Sequence, residues 1–349
     1  MSVVSKKMIM AAAGAGGAAG GYIAVGFTTT PFFTLLDHTS PGSLSLAATY
    51  TFPGTVFGTS FSPDGSYIAA AHNGSPYFTL LDHTTPGSVS LAASYALAAA
   101  PTAGVTTDFS PDGDYIAVGF TISPFFSLLD HTTPGSLSLA ATYTTAGFVH
   151  SVSFSPDGNY IAAGHSSSPR FTLIDHTTPG SLSLAATYTL PSGTIQSVDF
   201  SPDGNYIALG WNVSPFFLLL DHTTPGSLSL AATYSLGSSG SNIGCYAVSF
   251  SPDGNYIAAA SEASPYFTLL DHTTPGSVSL AATYTFPSGN IVYGVAFSPD
   301  GKYIAVQRRF SNDLTLLDHT TPGSLSLATT YTLAGSNNQP GNSVAFSPS

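Results

Sequence analysis

Seven times along the chain the tripeptide Tyr-Ile-Ala returns, at Tyr22, Tyr67, Tyr115, Tyr160, Tyr206, Tyr256 and Tyr303, at intervals of 45, 48, 45, 46, 50 and 47 residues. Asp-His returns in step with it, at Asp37, Asp82, Asp130, Asp175, Asp221, Asp271 and Asp318. A unit of this length cannot bury its own apolar face, so neighbouring copies must share a core, and the chain is restricted to a propeller or an array. One full copy runs from Phe154 to Tyr188 and parses into four short strands. Ser151 to Phe154 is followed by Ser155-Pro156-Asp157-Gly158, a turn in which Pro presets φ, Asp caps and Gly supplies φ > 0. Tyr160 to Gly164 and the apolar run Phe171 to Asp175 follow. Ser181 to Tyr188 closes the unit, with Leu182 and Leu184 alternating with serines as in a half-exposed outer strand.

Four strands in each of seven units predict an all-β, seven-bladed propeller, an architecture that leaves only short sheet edges. The copy that starts at Gly20 lacks a first strand, whereas Asn342 to Pro348 is a first strand with nothing after it. The two chain ends are therefore expected to complete one blade together. Residues 1–19 form an N-terminal extension and residues 20–349 the propeller.

Charged residues are only 7% of the 349, so Ser, Thr, Asn and exposed backbone must wet the surface. Eighteen acidic residues against six basic ones give a net charge of −12, which opposes nucleic acid and anionic lipid as partners. Cys245 stands alone, which rules out an intrachain disulfide, and no apolar run reaches the ~20 residues that span a bilayer.

The SPDGxYIAxG stretches resemble the WD-repeat superfamily and its bacterial relatives over residues 20–349. The third strand ends Leu-Leu-Asp or Leu-Ile-Asp where a WD repeat carries Trp-Asp, and the Gly-His ahead of the first strand is missing. The resemblance implies a propeller scaffold used for binding and names no ligand.

The copies differ mainly on one face. The SPDG and DHTTPG turns are nearly invariant, whereas the turns between second and third strands and the segments between blades vary. Five residues after each repeat Tyr stand Phe27, His72, Phe120, His165, Trp211, Ser261 and Arg308, and after the turn Pro stand Phe32, Tyr77, Phe125, Arg170, Phe216 and Tyr266. Gln307 to Asp313, with Arg308, Arg309 and Phe310, replaces that turn in the seventh copy. Exposed aromatic and Arg side chains on scaffolded loops suit partner or glycan contact, and filling gaps between blades is the competing role. Trp211 and the Arg308-Arg309 pair are the leading anchors, with Phe27, Phe120, His72, His165, Tyr77, Arg170 and Tyr266 beside them.

Seven Asp-His pairs suggest metal ligation, but each occupies the same strand-to-turn junction of a separate blade, where the carboxylate can accept turn N–H groups. No metal and no cofactor is expected. Outside the repeated motifs Asp108, His150, Asp199 and Glu262 are the candidate catalytic groups; they come from different copies and show no readable nucleophile-base spacing, so no catalytic residue is assigned. The opening MSVVSKKMIMAAAGAGG is similar to the start of small virion structural proteins of tailed bacteriophages, and Lys6, Lys7, Met8, Ile9 and Met10 would form an assembly anchor to other virion proteins. On that resemblance the expectation is a non-enzymatic virion structural protein, located in the particle, whose varied face meets a host-surface glycan or protein. The alternative is a lectin-like or protein-binding propeller of cellular origin, and a propeller hydrolase stands third.

Overall fold

The computed structural model describes residues 21–96, 104–237, 244–286, 291–308, 313–333 and 340–348. It is a ring of seven sheets, each of four antiparallel strands, as the repeat requires. Blades two to seven run 56–95, 104–144, 149–189, 195–235, 245–284 and 292–332. Blade one joins Tyr22–Phe27, Phe32–Asp37 and Ser45–Thr51 to the C-terminal strand Pro340–Phe346, with Ile23 opposite Phe346, Ala24 opposite Ala345 and Val25 opposite Val344. The Ser347 hydroxyl locks this seam by accepting the N–H groups of Gly21 and Tyr22, both at 3.1 Å.

Strand character decides depth in each blade. The second strand, YIAAGH in blade four, is buried along its whole length, and the third, RFTLID, is buried at its four central positions. Apolar residues on both faces meet neighbouring blades, so the cores lie between blades: Phe171 and Leu173 of blade four pack with Ile195, Val198 and Leu209 of blade five. Small residues set the spacing. A Cβ on Gly164 would lie 2.5 Å from Ile195 Cγ2, so a larger residue would push the two sheets apart. The outer strand leaves one leucine per blade on the rim, Leu46 at 54% exposure and Leu327 at 53% among them.

The SPDG and DHTTPG turns share one face, where a repeated staple joins each blade to the next. The ring of Tyr22 meets His83 of blade two edge-on at 5.0 Å, and its hydroxyl closes over Gly87, whose φ of 74° and lack of a side chain permit the contact. His83 Nε2 accepts the Gly87 N–H at 3.3 Å, so Nδ1 carries the proton and donates to the Gly65 carbonyl at 2.8 Å. Asp82 accepts the Thr84 N–H at 2.9 Å and its hydroxyl at 2.6 Å. In the matching Asp130 the Thr132 hydroxyl and N–H hold the carboxyl below the usual carboxylate range. The Asp-His pairs are thus bonded within the turns, and no group of three His, Cys, Asp or Glu among the described residues has metal-site geometry. The Ser of each SPDG turn joins in: Ser62 Oγ donates to Asp64 at 2.6 Å and accepts the Tyr67 N–H at 2.9 Å.

Candidate functional site

The first strands of all seven blades line a central channel. The residues third from the end of these strands, Thr59, Thr107, Val152, Val198, Val248, Val295 and Val344, form a waist, with a cavity of about 170 Å³ on the varied face and a second opening toward the SPDG turns. The second residues form the ring at the varied mouth: Phe57, Val105, His150, Gln196 and Tyr246 line the cavity, and the Tyr293 ring leans on Tyr246 at 52° with centroids 4.5 Å apart. Side chains differ around this ring, while the waist is only Thr or Val. Nothing in the repeat marks these positions, because each sits in a short first strand that the period treats as one unit. The signal that could have found them is the copy-to-copy change from Phe to Val, His, Gln and Tyr.

Three of the four candidate catalytic groups converge on the channel wall. Asp108, His150 and Asp199 lie on the first strands of blades three, four and five. Asp108 accepts the N–H of Phe154 at 2.8 Å and Asp199 that of Phe250 at 2.7 Å, each from the following blade. Serine serves the same role in blade four, where Ser153 accepts the Phe200 N–H at 3.3 Å, so this row both closes the ring and lines the channel. Asp108 and Asp199 stand beyond the waist, on the SPDG side. His150 stands at the mouth against Phe148, centroids 4.5 Å apart, with Nε2 buried and unpaired; burial and nearby His165 push its pKa down to about 4, so the ring is neutral near neutral pH. Glu262 lies on the turn above and accepts the Tyr246 hydroxyl at 2.8 Å. This pair puts a carboxylate in contact with a phenol that itself lines the cavity.

Most of the anchors expected on the varied face are elsewhere. Phe27, His72, Phe120, His165, Trp211 and Arg308 are all buried, the most exposed of them at 7%, because the end of the second strand points into the gap between blades. Trp211 donates from Nε1 to Ser192 O at 3.0 Å within the core shared by blades four and five. Arg308 pairs with Asp313 at 3.3 Å and covers the Phe286 ring at 4.8 Å. Tyr77, Arg170 and Tyr266 are half-buried at φ of 75°, 79° and 67°, each in a turn closed by a backbone bond such as Arg170 N–H to Ser167 O at 2.8 Å. Arg170 donates further to Ser166 O and Leu190 O. Six blades repeat this strained φ, which marks it as architecture. Arg309, Phe310 and the anchor residues Lys6, Lys7, Met8, Ile9 and Met10 lie outside the described residues. Trp211→Ala should therefore destabilise the fold by about 3 kcal/mol, the usual cost of emptying such a site; an unchanged urea midpoint would contradict this placement.

Comparison with known proteins agrees with the architecture. The WD domain, G-beta repeat family matches residues 137–176, 232–264 and 279–315, each stretch crossing from the outer strand of one blade into the next. No curated protein matches the chain. Among solved structures, a Bacteroides uniformis protein assigned as a 6-phosphogluconolactonase superimposes with a TM-score of 0.78 at 16% identity, over 94% of this chain and 100% of that one. A Bacteroides fragilis protein with the same assignment gives 0.75 at 14%, over 94% and 98%. The periplasmic gluconolactonase of Pseudomonas aeruginosa gives 0.71 at 18%, over 92% and 98%. At such identities the likeness establishes the fold. These findings correct the expectation of a non-enzymatic virion structural protein: these three propellers that share the fold are named for lactone chemistry, an enzymatic class, and the particle expectation rested on nineteen low-complexity residues. The chain is a WD-repeat-like seven-bladed β-propeller.

Proposed function

We propose that the chain binds a sugar lactone at the varied mouth of its channel and hydrolyses it. The observation that carries this reading is the Tyr246–Glu262 pair, a carboxylate 2.8 Å from a phenol that faces a small cavity ringed by unlike side chains. A cavity of about 150 Å³ holds one benzene-sized ring, so the mouth, at about 170 Å³, takes a single sugar ring with its substituents toward solvent. Tyr246, its ring backed by Tyr293, offers an aromatic face to the ring's C–H bonds, and Gln196 and His150 offer polar groups to its hydroxyls. The lactonase names of the structural relatives support the choice of reaction.

Water adds to the lactone carbonyl, giving up a proton to the Tyr246 oxygen while the Tyr246 proton moves to Glu262. The ring C–O bond then breaks, the proton returns by the same route to the departing alkoxide, and the product is the open hydroxy acid. Positioned proton transfer of this kind contributes about 10²–10⁴-fold in rate. With the purified chain and gluconolactone, after subtraction of hydrolysis in buffer, Glu262→Gln and Tyr246→Phe should each lower kcat by about 100-fold with melting temperatures unchanged. A wild-type rate equal to that of buffer would end the hydrolase reading; sugar binding without turnover would favour a lectin-like propeller.

A further inference from the structure

Among the described residues, the charged side chains that line the channel are carboxylates. Glu262 stands at its mouth, and Asp108 and Asp199 stand past the waist, three residues further along their strands than the mouth ring. At ~3.3 Å per residue this places them about 10 Å from a ligand seated at the mouth, roughly one Debye length in 0.1 M salt. The described cations are committed elsewhere: Arg308 to Asp313, Lys302 to Asp300 on the SPDG face, and Arg170 to backbone carbonyls. None of them lines the mouth cavity. A bound phosphate monoester would meet repulsion from these carboxylates in a partly enclosed site, where charges interact more strongly than in bulk water.

Resting on the lactone reading above, we infer that this site selects uncharged sugar rings and rejects their phosphorylated forms, through the carboxylates of Asp108, Asp199 and Glu262. The charge acts on binding and needs no part in the reaction. Asp108 and Asp199 can be neutralised without losing their backbone bonds, because an Asn side-chain oxygen accepts the same N–H of Phe154 or Phe250.

The test is calorimetric titration of the full chain with anhydroglucitol, a ring analogue with no bond to hydrolyse, and with its phosphate monoester. The neutral ring should bind at least about tenfold more tightly, the order expected for a dianion brought near several carboxylates. Added salt should narrow the gap. In the double variant Asp108→Asn with Asp199→Asn, the phosphate form should gain about threefold while the neutral ring binds as before. Equal or tighter binding of the phosphate form by the wild type, or a gap untouched by both salt and the double variant, would overturn the inference. Binding of neither ligand would overturn it together with the lactone reading. A gap that behaves as expected alongside absent lactone turnover would support the charge selection and overturn the hydrolysis alone.

Discussion

Acidification from about pH 7 to about pH 4.5 should cost the propeller about 5 kcal/mol through two fully buried histidines alone. His72 and His165 are fully buried at the ends of the second strands of blades two and four. Each bonds through Nε2 to a threonine hydroxyl, Thr79 at 2.9 Å and Thr172 at 3.0 Å, while Nδ1 is buried without a partner. Loss of solvation of the charged imidazolium pushes both pKa values down to about 4. The unfolded chain keeps its histidines near pKa ~6.5. Between these values the unfolded state binds more protons than the folded one, so stability falls as pH drops from about 6.5 to about 4 and the loss is complete below that. At about pH 4.5 this amounts to about 2–3 kcal/mol for each histidine. The carboxylates of Asp64 and Asp253, held below their ordinary range by turn hydrogen bonds against the opposing effect of burial, add their loss only at lower pH.

The repeat itself supplies the control. Phe27 and Phe120 occupy the matching position in blades one and three and are likewise buried. A His72→Phe, His165→Phe double variant should therefore fold, less stably near neutral pH because Thr79 and Thr172 lose their partners and a larger ring must fit. Its urea midpoint should fall by clearly less than that of the wild type between about pH 7 and about pH 4.5, the remaining fall coming from His150, whose pKa burial also pushes down to about 4. If the variant loses as much stability as the wild type over that interval, these two histidines are not the acid-sensitive groups.

Removal of residues 342–349 should abolish cooperative folding. The C-terminal strand covers a second strand that is buried at every position, Tyr22 to Phe27, and leaving it as an open edge strands a row of backbone donors and acceptors. It also belongs to two cores at once. Val344 and Phe346 pack toward Leu314 and Leu316 of blade seven, and Ala345 toward blade two, where it joins Phe61 and Ile68. Its loss undoes both junctions of blade one, against a total stability of about 5–15 kcal/mol. Circular dichroism melts should show a broad transition or insoluble protein, and a synthetic peptide of residues 340–349 added in trans should restore part of the transition. Ser347→Ala, which removes only the acceptor of two N–H groups, should cost about 1–3 kcal/mol and leave the melt cooperative. A truncated chain that melts like the whole one would contradict closure by strand pairing.

The blades, their turns and the seam between the chain ends were legible in the sequence, because each follows from local chemistry or counting. The Pro-Asp-Gly order dictates a turn, period-two and apolar runs dictate strands, and a first strand missing at one end and surplus at the other dictates their pairing. Direction was not legible. Variation at His72, Trp211 and Arg308 reads as an adaptive surface, yet these side chains fill gaps against Phe52, Gly193 and Phe286 of the adjoining segments. In a repeat protein the partners of a gap change together, so variation alone does not separate recognition from packing. Only the closed ring decides which residues cross from blade to blade and which point inward. That decision placed His150, Gln196 and Tyr246, from three different copies, around one opening, because ring closure makes neighbours of residues that lie tens of positions apart in the chain, while pairing of adjacent strands within one blade set Glu262 on the Tyr246 hydroxyl.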